Sequence, residues 1–219
     1  MNHYDESPIK QESISTSVYK RPGMYFGDMD DGTGYSVIVS EIVSTILSWK
    51  VGANITVTLR PATIEITCRA RLPGSEILLT DERRRPFFVY GDQLASLGFG
   101  WFSAPLHTHA FACRQALWEL RDSYGEQSAL FDEGICRSAQ FAAPDLPDHL
   151  CLRVSLSIGT VRLPFAPATI DQVTKRLRYL GGPAEAGYWG CVTVRDERTS
   201  KLQIVVVTDY PPQPSPLSR

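Results

Sequence analysis

The sequence predicts an α+β fold, a two-layer sandwich in which helices cover one face of a mixed β-sheet. Three observations predict it. An amphipathic helix at 35–47 stands early in the chain. A hairpin follows it at 54–68, and a second closes the domain at 189–208. Between them, runs of short alternating strands outnumber helices, which is not the strict strand–helix alternation of a parallel α/β fold.

The first helix is prepared by a glycine-punctuated loop, Arg21-Pro22-Gly23-Met24-Tyr25-Phe26-Gly27-Asp28 and then Asp30-Asp31-Gly32-Thr33-Gly34. Asp30, Asp31 or Thr33 can cap the helix through a side-chain oxygen. Tyr35, Val39, Ile42, Val43, Ile46 and Leu47 then recur at helical spacing and form one buried stripe, and Gly52 supplies a left-handed stop. Strands at 54–59 and 63–68 alternate about the turn Arg60-Pro61-Ala62. Residues 69–105 are rich in glycine, proline and charge without a sustained period, apart from an apolar run at 76–79. A second helix is expected over 106–120, with Leu106, Ala110, Cys113 and Leu117 on one face. Strands are expected at 128–131, 136–141 and 150–158, the last broken by Gly159-Thr160 and resumed at 161–163. A third helix at 168–180 ends at Gly181-Gly182-Pro183, and strands at 189–195 and 202–208 flank a charged turn.

Composition sets the bounds. The 219 residues suit one domain: an arm at 1–18, a body at 19–209 and a disordered Pro/Ser tail at 210–219. A hydrophobic content of 43% supports a full core. Lys+Arg 22 against Asp+Glu 24 leaves net charge −2, which exerts no strong pull on nucleic acid. The one dense basic cluster, Arg83-Arg84-Arg85, reads as a surface turn. The 5 cysteines are odd in number and lack metal-ligand spacing, so no metal is expected and a reducing, cytoplasmic setting is. Cys68, Cys151 and Cys191, in strand-like runs, read as small buried hydrophobes. No secretory signal and no apolar run of about 18 residues is read, so no membrane span is expected.

The stretch KRPGMYFGDMDDGTG, followed by a helix carrying Glu41, resembles the opening of the N-terminal ATPase domain of the DNA gyrase B protein and of its topoisomerase IV counterpart, in the GHKL (Bergerat-fold) family. IGTVRLPF resembles that family's GTxVxFxPD strand, and TKRLRYLG with VTVRDERTSK resembles its KRLREL helix and DERTG hairpin. The match runs along essentially the whole chain and leaves no length for the transducer domain of full-length gyrase B proteins. It implies a GHKL-like sandwich, an ATP lid within 69–105, and an N-terminal arm that reaches a partner protomer to make a homodimer.

The resemblance also shows what has changed. Glu41 aligns with the general base, which can deprotonate a water placed within hydrogen-bond reach. Thr45 stands where the family has its magnesium asparagine, and Ser44, Ser48 and Trp49 replace acidic neighbours. CRARLP stands for DDGRGIP, so Arg69 falls at the adenine-reading aspartate and Ala70 at the first glycine, while Arg71 and Pro73 match. Arginine only donates hydrogen bonds and cannot accept from the adenine amino group. Thr160 matches the threonine that supports the lost aspartate. In Pro105-Leu106-His107-Thr108-His109-Ala110 every glycine of the GLHGVG phosphate segment is replaced, so backbone amides cannot wrap phosphate easily.

The chain therefore reads as a gyrase-B-like pseudo-ATPase, without cofactor, whose old pocket takes another small ligand. Arg69 and Arg71 alternate on one strand and would face an anionic ligand together. Thr45, Arg69, Arg71 and Thr160 form the candidate binding set, with Tyr25 of the loop, itself read as core. Antibiotic self-protection or capture of a partner would be its setting. The alternative is a repurposed cyclase, isomerase or lyase of natural-product biosynthesis, with Glu41 and His107 or His109 as acid and base.

Overall fold

In the computed structural model, the described residues are 14–28, 30–48, 53–71, 87–90, 93–96, 107–122, 125–142, 149–160, 163, 166–178, 180 and 190–207. Helices α1 (Ile14–Lys20) and α2 (Pro22–Phe26) lead into α3 (Thr33–Ser48). The hairpin β1 (Ala53–Leu59) and β2 (Thr63–Arg71) follows, then a small separate hairpin, β3 (Phe87–Tyr90) with β4 (Gln93–Ser96). A short helix α4 (His107–Ala110) opens the run β5 (Cys113–Asp122), β6 (Gly125–Asp132), β7 (Ile135–Ala142) and β8 (His149–Ile158). Helix α5 (Ile170–Leu177) and the hairpin β9 (Gly190–Asp196) with β10 (Lys201–Val207) follow.

Eight strands form one sheet in the order β10-β9-β1-β2-β8-β5-β6-β7. Every neighbouring pair is antiparallel except β1 with β9, which makes the sheet mixed. With few helices beside it, this is the mixed α/β content that an α+β class requires. Strand residues alternate in burial as a pleated sheet with one covered face must. Ile55, Val57 and Leu59 of β1, Leu152, Val154 and Leu156 of β8, and Val192 and Val194 of β9 point into the core, where α3 supplies Ile38, Ile42 and Ile46. The opposite face carries Arg153 between Glu65 and Glu119, at 2.9 and 3.2 Å, and Arg60 beside Glu197. Among the described residues, no helix is long and apolar enough to cross a membrane.

Helix α3, both flanking hairpins and α5 stand where the sequence puts them. The helix expected over 106–120 does not. Only His107–Ala110 is helical, and Cys113–Asp122 is a strand deep in the sheet between β8 and β6. The apolar positions fit both periods, and pairing on two sides decides for the strand. Ala116, Trp118 and Leu120 are buried at period two. Cys113 is also buried, three residues before Ala116, and the register shifts between those two residues. An extra residue in a bulged strand thus imitates helical spacing. The irregular reading of 69–105 is corrected in two places, because β2 runs on to Arg71 and β3–β4 form a hairpin. Cys68 is buried as expected, whereas Cys191 is exposed on β9. Burial, with Cys151 nearby, pushes the Cys68 thiol up to about 12. The packed body reaches back to Val18, wholly buried on α1. The stop at Gly52, the apolar run at 76–79, Arg83-Arg84-Arg85, most of the arm and the tail lie outside the described residues.

Two junctions hold the helices in register with the sheet. At the β6–β7 turn, Glu133 and Gly134 both have positive φ, 45° and 82°, the hand that a two-residue hairpin needs. Gly134 also has no room for a side chain, since a Cβ there would overlap the Phe111 ring. At the start of α5, Thr169 and Gln172 form a capping box, and the Gln172 amide also donates to Asp31 O at 2.6 Å. That bond ties α5 to the loop before α3, where the Asp31 carboxylate accepts from Thr33 N at 2.7 Å. Thr169→Ala should lower unfolding free energy by about 1 kcal/mol in a urea titration. An unchanged midpoint would show that the box adds nothing to stability.

Candidate functional site

Helix α3 is buried over most of its circumference: Val37, Ile38, Val39 and Ser40 are all below 7% exposed. Glu41 differs, with its side chain 34% exposed. Its partner comes from α4. His109 is 1% exposed, and its Nε2 lies 2.5 Å from Glu41 Oε2. The other ring nitrogen, Nδ1, is buried and has no hydrogen-bond partner among the described residues.

Short local bonds fix the backbone that carries His109. Its carbonyl accepts from Ala112 N at 3.1 Å, closing a turn directly after α4. The Tyr35 hydroxyl, from the first turns of α3, donates to Ala112 O at 3.0 Å. The same hydroxyl oxygen accepts from Gly159 N at 2.5 Å. One phenol thus joins α3, the α4–β5 link and the end of β8. Burial, and then the nearby Cys113 thiol, push its pKa above the ordinary tyrosine value, while the Gly159 N–H opposes. The hydroxyl therefore stays protonated and remains a donor. On the far side, Phe111 packs edge-on against Tyr19 of α1 at 5.9 Å, and the Tyr19 hydroxyl donates to Glu133 O at 3.2 Å.

Of the sequence-derived candidates, the structure brings Glu41 and His109 into contact. Thr45 follows on α3 one turn later. His107 begins α4 and Arg71 ends β2. The side chains of Thr45, His107 and Arg71 lie outside the described residues. Thr160 is half-buried, and its hydroxyl accepts from Leu163 N at 2.6 Å within a tight turn. Tyr25 packs against the core beside Phe26, with ring centroids 6.3 Å apart.

Arg69 is not where the sequence reading placed it. In β2 the residues turned toward the core are Cys68 and Ala70, 1% and 4% exposed. Arg69 lies between them, pairs with Asn54 and Cys151, and is exposed on the opposite face. The strand period of two makes this unavoidable once Cys68 is inside. The joint orientation of Arg69 and Arg71 toward the site is therefore withdrawn: Arg69 does not face it, and the Arg71 side chain lies outside the described residues.

Sequence reasoning missed the role of Tyr35, which reads as one more apolar member of a helical stripe. Its one distinguishing signal is a hydroxyl in a fully buried row, which needs partners. Among the described residues, no group of three or more His, Cys, Asp or Glu could hold a metal ion. No protein-family model matches the chain.

A half-exposed carboxylate held by a buried imidazole can accept a hydrogen bond or a proton from a bound molecule in one fixed orientation.

Proposed function

We propose that this chain is a gyrase-B-like domain of the GHKL type that has ceased to bind ATP and holds another small ligand at Glu41, beside His109. The 2.5 Å contact between His109 Nε2 and Glu41 Oε2 carries the reading. A histidine from the former phosphate segment occupies the carboxylate that would otherwise direct water at a phosphate. The fate of the purine site supports it. The core-facing residues of β2 at its end are Cys68 and Ala70, and neither offers a carboxylate to an adenine amino group.

The same contact favours a second reading, a proton-transfer enzyme of the cyclase, isomerase or lyase kind with Glu41 as acid and base. A carboxylate already oriented by imidazole suits that work.

A thermal-shift panel tests both. It contains magnesium–ATP, a non-hydrolysable ATP analogue, aminocoumarins and small mono- and dicarboxylates. Magnesium–ATP is expected to leave the melting temperature unchanged. A true ligand at about 100 times its Kd adds about 2.7 kcal/mol, or roughly 5–10 °C for a chain of this size. Glu41→Gln should abolish that shift. If magnesium–ATP stabilises the protein and is hydrolysed, both readings fall. Turnover of a stabilising ligand, lost in Glu41→Gln, decides for the enzyme.

A further inference from the structure

We infer that His109 is the positioning residue for Glu41 and is held as the neutral imidazole with its proton on Nε2. The inference rests on the ligand-site reading above for its significance, and on local geometry for its content. Nε2 lies 2.5 Å from Glu41 Oε2, so one of the two atoms carries the shared proton. Nδ1 decides which. It is buried and meets no acceptor among the described residues. A cationic imidazole would carry a second N–H there with nothing to receive it. So would the neutral tautomer protonated on Nδ1, in which Glu41 would have to be the donor. A bare lone pair at Nδ1 is the least unfavourable occupant, because buried donors without acceptors are the rarer defect. Nε2–H then donates to the Glu41 carboxylate.

The ring has little freedom to do otherwise. His109 O is bonded to Ala112 N, Ala112 O to the Tyr35 hydroxyl, and Tyr35 shares α3 with Glu41. Donor and acceptor therefore ride on backbones already tied to each other. A ligand that reaches Glu41 meets a carboxylate whose orientation is set beforehand, so less rotamer freedom is lost on binding. His109, 1% exposed, acts through Glu41 and does not itself touch the ligand.

The test is the protonation pattern of the ring in the full chain labelled with 15N-histidine, read from a long-range proton–nitrogen spectrum. The 4 histidines make assignment tractable. His109 is identified by its disappearance in His109→Gln. If that variant does not fold, His3→Gln, His107→Gln and His149→Gln identify it by elimination. The expected result is an unprotonated Nδ1, a protonated Nε2, and an Nε2 resonance that moves in Glu41→Gln. A protonated Nδ1, a doubly protonated ring, a mixture of tautomers, or an Nε2 signal indifferent to Glu41→Gln would each overturn the inference. A wrong tautomer would leave the ligand panel standing, and stabilisation by magnesium–ATP would leave the tautomer standing.

Discussion

Trp118→Ala is expected to lower the unfolding free energy by about 3–5 kcal/mol, which for a chain of this size is a fall of roughly 6–20 °C in Tm. Trp118 is 1% exposed in β5. Its cross-strand neighbours are Val154 of β8 and Ala129 of β6. Both neighbours are much smaller than the indole, so alanine at 118 would leave a cavity. Trp118→Phe keeps a ring in the slot and should lose roughly half as much. The informative comparison is Leu117, half-buried on the other face of β5. If 106–120 were a helix with Leu117 on its buried side, Leu117→Ala would be the more damaging change. In the observed sheet it should be worth about 1 kcal/mol. Urea titrations of the two variants settle the order. A larger loss at Leu117 would overturn the β5 register, and with it the placement of His109 just before that strand.

That comparison shows which parts of the fold were legible. The β1–β2 hairpin, β8, α3 and α5 each carry a period that fits one element only, and each has a turn or cap residue at its boundary. The segment 106–120 carries two periods at once, and the partners that choose between them, β6 and β8, lie elsewhere in the chain. The parallel pairing of β1 with β9 is equally non-local, as it joins the two flanking hairpins across most of the sequence. The helical turns of α1 were hidden among polar residues, with Val18 and Tyr19 carrying its packing. At the site, Glu41 and His109 were both legible as candidates, one by its place on the first helix and the other by its place in the opening turn of the expected second. Their contact spans 68 residues and follows from where α4 ends, which no local pattern encodes. Arg69 failed for a simpler reason. Its strand alternates, and the choice of inner residue fell to Cys68.

His109→Leu should cost about 2–3 kcal/mol, the value of a hydrogen bond to a charged group together with the penalty on the partner left behind. Leucine nearly fills the imidazole volume, so the loss reports the bond more than a cavity. Glu41→Leu alone should cost at least as much, since the His109 Nε2–H that it leaves without an acceptor is 1% exposed and out of reach of water. The double variant should recover much of the loss, because an apolar pair in place of a paired polar one is often close to neutral. A double-mutant cycle is therefore expected to give a coupling of about 1–2 kcal/mol. Additive effects would mean that the contact contributes nothing to the fold. Salt dependence adds a second reading of the same cycle. A neutral imidazole donating to a carboxylate should keep its coupling in high salt, whereas an exposed ion pair would weaken. Stability and binding should then part company in the double variant. A protein that regains its melting temperature but loses every ligand-induced shift would show that the pair is kept for what it holds, since an apolar pair holds the fold as well.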